Sequence, residues 1–181
     1  MFLSYFRLGV EHIVPLGADH ALFVAGLFLS ATSLASLAWQ VSAFTVAHAL
    51  TLALVATGAV EARASIVEPL IALSIVAVAI ENIATRGFHW RRPLLVFAFG
   101  LLHGLGFGGA LTALGLPPDD LVVSLLGFNL GVEAGQLIVI AALFALPGWC
   151  RHAPWYRARV VVPASAAIAA IGAYWAIQRT F

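Results

Sequence analysis

Apolar residues fall along this chain in long blocks, interrupted by short polar turns. In the first block Phe2, Phe6, Gly9 or Val10, and Ile13 share one helical stripe, and Ser4, Arg7 and Glu11 lie on the other, before Pro15 and Gly17 stop the helix. This predicts a short amphipathic helix and turn over 1–16, lying in the membrane interface. Six apolar runs follow, at about 18–37, 41–60, 65–85, 94–114, 121–146 and 160–177, each near the roughly 20 residues that cross a bilayer. Trp39-Gln40, Glu61-Ala62-Arg63, RGFHWRRP ending at Pro93, Pro117-Pro118-Asp119-Asp120 and PGWCRHAPWYRAR ending at Arg159 read as the connections. Asp19 is placed to cap the first span. The expectation is an all-α integral membrane protein, one membrane domain over 1–181, with six transmembrane helices.

Composition supports the pattern. Of 181 residues 62% are hydrophobic and only 9% charged, whereas a soluble domain carries about a quarter charged residues. The chain has no lysine, and its net charge of +1 argues against a nucleic-acid partner. The single cysteine, Cys150, excludes an intramolecular disulfide and a cysteine metal cage. The first apolar run lacks the form of a cleaved signal, so Met1 to Phe181 is expected to be mature structure. Arg86, Arg91, Arg92, Arg151, Arg157 and Arg159 fall on one side of the expected spans. Arg7, Arg63 and Arg179 fall on the other, with Glu11, Glu61, Asp119 and Asp120. The positive-inside rule then puts both termini outside a bacterial inner membrane.

The chemistry lies in the polar residues that the spans carry. A charge in mid-membrane costs roughly 2.5 to 3.5 kcal/mol on insertion scales, so such groups face the bundle interior. His12, Asp19 and His20 cluster in HIVPLGADH at the outer end of the first span. His48 and His103 fall at mid-depth, and Asn129, Glu133 and Gln136 form one stripe at i, i+4 and i+7. Glu68 sits near an outer end and is placed to pair with Arg63, and Glu81 and Asn82 near an inner one. Gly100, Gly104 and Gly108 form a small-residue ridge beside His103, suited to close helix approach. Imidazole and carboxylate donors suit Ni²⁺, Co²⁺ or Zn²⁺, so His12, Asp19, His20, His48, His103 and Glu133 are the expected metal ligands. Glu68, Glu81, Asn82, Asn129 and Gln136 are expected to support them. Taken singly, Asp19 is also an ordinary helix cap, and Asn129 and Gln136 ordinary interhelical hydrogen-bond partners. His89 and His152 fall in basic loops and are expected to be solvated.

At these residues the chain resembles the HupE/UreJ family, proposed permeases for nickel and related metals, and in particular its second branch. The resemblance spans about residues 5 to 146. It rests on FRLGVEHIVPLGADH, FTVAHALTLAL, VEPLIALSIVAVAIEN, FGLLHGLGFGGAL and GFNLGVEAGQ. It implies a carrier of a divalent transition metal, with the ion as substrate; the bilayer is the expected environment, and the lack of an inverted repeat points to a homo-oligomer. His12, Asp19 and His20 would capture the ion, and His48, His103 and Glu133 would hold it. Glu81 and Asn82 would form the inner exit. The same residues also suit an intramembrane zinc-dependent hydrolase with Glu133 or Asp19 as base. A third possibility is a membrane scaffold in which they only join helices.

Overall fold

The computed structural model describes residues 1–85, 91–113, 120–145 and 150–181. Among these the chain is helical, without strands: α1 (Phe2–Ile13), α2 (Ala18–Ser30), α3 (Leu34–Ala56), α4 (Ala64–Ala84), α5 (Arg92–Ala113), α6 (Leu121–Ala145), a π-helical turn (Arg157–Val161) and α7 (Val162–Gln178). Four segments are long and apolar enough to cross a membrane: α3, α4, α6, and the π-turn joined to α7. The pair α1 and α2 makes a fifth if its two halves, bent by 69° at the break, count as one span. Within the described residues α5 is apolar over Arg92–Gly108. The expected end of that span at 114 lies outside them, as do Asp119, Arg86 and His89.

Two expectations are corrected. The first expected span does not run to 37. α2 stops at Ser30, and Ser33 caps α3 by accepting from the Ser36 amide at 3.1 Å. Gln40, expected in a turn, is therefore buried inside a helix. Thirteen residues rise only about 20 Å, short of a bilayer core, so α2 cannot span alone.

Nor does α1 stand apart from the other helices. It runs alongside α6 in the same direction, Phe2 beside Gly127, Phe6 beside Gly131 and Ile13 beside Gly135. A Cβ on Gly131 would collide with the Phe6 carbonyl, and one on Gly9 with the Phe128 carbonyl. Glycine on both helices thus permits backbone contact, and the apolar stripe of α1 packs on α6.

The ridge on α5 behaves as its spacing predicts. Gly100 lies against the Phe44 carbonyl, Gly104 against the His48 carbonyl and Gly108 against Val55, so α3 and α5 run parallel in close contact. Thr51 Oγ1 donates to the Leu101 carbonyl across the seam at 2.8 Å. α4 packs antiparallel to α7, with Gly172 against Ala72 and Asn82 Nδ2 donating to Ser165 Oγ at 3.3 Å. These close contacts bring four histidine-bearing helices to one interior point.

Candidate metal centre

The histidines converge where α1 breaks into α2. His12 ends α1, His20 starts α2, and His48 and His103 come from the middle of the α3–α5 pair. Ring centroids are 4.7 Å apart for His12 and His20, 6.1 Å for His12 and His48, 5.7 Å for His20 and His48, and 4.7 Å for His20 and His103. His12, His20 and His48 each offer a ring nitrogen within 4.8 Å of the other two. Nitrogens bound at about 2.0 to 2.1 Å to one tetrahedral ion would lie closer still, so modest ring rotation would close the group. His103 walls the same space from the far side of His20.

Two of the rings are held by partners that settle which nitrogen points into the site. Asn129 Nδ2 donates to the Leu125 carbonyl at 2.8 Å, which turns Asn129 Oδ1 toward His48 Nδ1, 3.2 Å away. Nδ1 must donate, so Nε2 of His48 keeps its lone pair. Ser74 Oγ donates to the Ile71 carbonyl at 2.7 Å and lies 3.1 Å from His103 Nε2. That nitrogen donates in turn, leaving Nδ1 of His103 as the lone pair. The same two atoms, with His12 Nε2 and His20 Nε2, are buried without a hydrogen-bond partner. Buried polar atoms are nearly always satisfied, and four orphans in one place fit a bound cation. Partners that orient ligating imidazoles are the usual outer shell of metal sites.

The surroundings are aromatic. His12 packs on Phe107 with centroids 4.0 Å apart, Phe107 stacks on Phe128 at 4.9 Å, and Phe44 meets His20 edge-on at 5.7 Å. One side is open: a cavity of about 280 Å³ reaches His12, His20 and His103 and is also lined by Asp19, Glu68 and Arg179. Asp19 and Arg179 are each about a quarter exposed and paired at 3.0 Å, and Glu68 is exposed. The cavity is a vestibule with charges at its mouth and neutral donors at its foot.

Asp19 is not the cap of α2. Gly17 holds that position, and Asp19 sits in the first turn, its two oxygens accepting from Arg179 at 3.0 and 3.1 Å. Its charge there still suits the helix N-terminus. No ion pair joins Glu68 to Arg63 among the described residues; the Glu68 carbonyl accepts from Arg179 at 3.4 Å. Glu133 stands apart from the histidine group and accepts from Ser42 at 3.2 Å, while Gln136 accepts from Thr45 at 3.2 Å. Those contacts, with His48 and Asn129, form a polar seam between α3 and α6. Glu81 and Asn82 accept from Arg92 at 3.2 and 3.0 Å. His152 is exposed.

His12, His20 and His48 thus form one group with His103 against His20, and the two expected carboxylate ligands lie outside it. Residues not anticipated from sequence are Ser74 as the partner of His103, Phe107 as the floor under His12, and Arg179 at the mouth. Ser74 had one legible signal, a small hydroxyl in an apolar helix. Arg179 had none beyond being a charge near a chain end.

A family model described as HupE / UreJ protein matches residues 1–179. No curated protein and no solved structure matches the chain.

Proposed function

We propose, from the premise that the chain belongs to the HupE/UreJ family, that it carries a divalent transition-metal ion across the bacterial inner membrane through the four-histidine site. The family is associated with nickel and cobalt transport. The observation that carries the proposal is a trio of ring nitrogens, from His12, His20 and His48, within 4.8 Å of one another with His103 against His20, all buried without a hydrogen-bond partner, beside a vestibule that His12, His20 and His103 line. Imidazole donors suit Ni²⁺, Co²⁺ and Zn²⁺, whereas Mg²⁺, Ca²⁺ and Mn²⁺ prefer oxygen. An ion at the mouth meets Asp19 and Glu68, gives up water, and passes to neutral imidazoles that bring no charge of their own into the membrane. By the arginine distribution the vestibule faces outward, with both termini on the same side.

A resident catalytic zinc is the alternative, favoured by one feature: three histidine donors are a usual protein share of a catalytic zinc, and a cavity reaches two of them. Against it, Asp19 is paired with Arg179 and Glu133 with Ser42, so neither stands ready to activate a bound water. Uptake separates the two. Purified protein in vesicles holding a metal-quenched dye should admit Co²⁺ or Ni²⁺, and His20→Ala should abolish the signal. Uptake no faster than in protein-free vesicles, by a protein that binds the metal, would favour the resident ion.

A further inference from the structure

Below the histidines, on the side away from the vestibule, the same helices build a second polar layer. On α3 the positions His48, Phe44 and Gln40 follow at intervals of four, and on α4 Ser74, Val78 and Asn82 do the same. On α5 His103 is followed toward the N-terminus by Phe99 and Arg92, and on α2 His20 is followed by Phe23 and Gly26. Each helix thus carries a histidine-layer residue, an apolar residue and a member of a lower layer. Eight helical residues put the two polar layers about 12 Å apart.

The middle layer is a plug. Phe23 lies 5.1 Å from Phe44 and 6.0 Å from Phe99, centroid to centroid, and Phe23 and Phe44 lie 5.2 and 5.1 Å from His103. The lower layer is built on one guanidinium. Arg92 is 2% exposed and gives Nε to Gln40 Oε1 at 2.9 Å, Nη1 to Glu81 Oε2 at 3.2 Å and Nη2 to Asn82 Oδ1 at 3.0 Å. Asn82 is itself held by its Nδ2, which donates to the Gly26 carbonyl at 2.8 Å. Three oxygens, one of them a carboxylate, therefore converge on a cation that belongs to the protein. Arginine stays charged when buried, so this occupant cannot leave by losing a proton.

We infer that Gln40, Glu81 and Asn82 form a second cation site, the exit site of the carrier, and that Arg92 is a tethered cation closing it while the vestibule is open. The inference rests on the carrier proposed above. Oxygen donors bind a transition metal more weakly than imidazoles do, which is what release from a histidine site requires. A fixed positive charge on the route repels any second cation until it swings aside. Passage to the inner face thus needs Phe23 and Phe44 to part and Arg92 to yield its three acceptors.

The bland account is that Arg92 only fastens α3, α4 and α5 together. The test uses the full-length protein with Co²⁺ as probe, reading histidine ligation by visible absorption in detergent and passage by dye quenching in vesicles. Arg92→Gln removes the tethered charge and leaves the acceptors. The Co²⁺ spectrum should stay as in wild type, and the initial Co²⁺ flux should rise about tenfold. The double variant Arg92→Met with Glu81→Leu replaces the buried pair by apolar groups, a change that folded proteins often tolerate. It carries the test if the single variant does not fold. It should keep the Co²⁺ spectrum and lose flux about tenfold or more, because the exit acceptor is gone. A double variant that passes Co²⁺ at the wild-type rate, or that loses the histidine spectrum as well, would overturn the exit site. Wild-type protein that binds Co²⁺ and passes none would instead sink the carrier itself, a result distinct from failure of the exit site.

Discussion

His48 is oriented by a residue that lies outside the histidine group. Because the Asn129 amide is anchored to the Leu125 carbonyl, its oxygen accepts from His48 Nδ1, and the lone pair on Nε2 faces the site. Ser74 does the same for His103 through its own bond to Ile71. Outer-shell partners of this kind are commonly worth about 10- to 100-fold in metal affinity. Asn129→Leu should therefore weaken Co²⁺ binding by about that factor, read by calorimetric titration, with the helical content unchanged. An unchanged affinity would mean that His48 takes no part in holding the ion. At this scale the sequence was half legible. An asparagine, a serine or a histidine in an apolar run announces an interior position, but spacing along one helix cannot say which partner on another helix it meets. Glu133 and His48 fell at matching depth, and the structure nevertheless pairs Glu133 with Ser42.

At the scale of elements, the site depends on the broken pair α1 and α2. One continuous helix could not set His12 and His20 face to face across eight residues with centroids 4.7 Å apart; the turn between Ile13 and Ala18 does. Helix breaks of this kind recur at ion sites within membranes, where freed backbone groups and helix ends face the ion. What holds α1 in place is its glycine contact with α6, so a change at a residue that is itself no ligand should disturb the site. Gly131→Val would strike the Phe6 carbonyl, push α1 outward and withdraw His12. Co²⁺ affinity should fall at least about tenfold together with a lower melting temperature, while the weaker residual binding still depends on His20 and His48. Full affinity in that variant would free the site from any dependence on α1 docking. The amphipathic stripe of α1 was plain in the sequence; its meaning was not, because the same stripe serves an interfacial helix or one docked on a partner. The discriminating sign was Gly9 in the apolar stripe, read together with the glycines at 127, 131 and 135 four apart on α6.

Among the described residues the arginine–carboxylate pairs sit on two sides of the histidines. Asp19 with Arg179 marks the vestibule, Arg92 with Glu81 the opposite layer, and between them lie uncharged donors and phenylalanine rings. The membrane character was legible from composition alone, and the family from five polar blocks in order. The pairing of Asp19 and Glu81 with arginines was not, since Arg92 and Arg179 stood in the sequence as loop and terminal charges and only the fold turns them inward. The bounds of the first apolar helix were also beyond the sequence, because hydropathy cannot see that the break between α2 and α3 falls at 31–33.

The most direct test is the metal content per chain of detergent-purified protein loaded with Co²⁺ or Ni²⁺, before and after a chelator wash, for wild type and His20→Ala. A carrier with one histidine site predicts about one ion per chain that the wash removes, and none in the variant. No bound metal under any loading condition, or equal loading of the variant, would contradict the account at its centre.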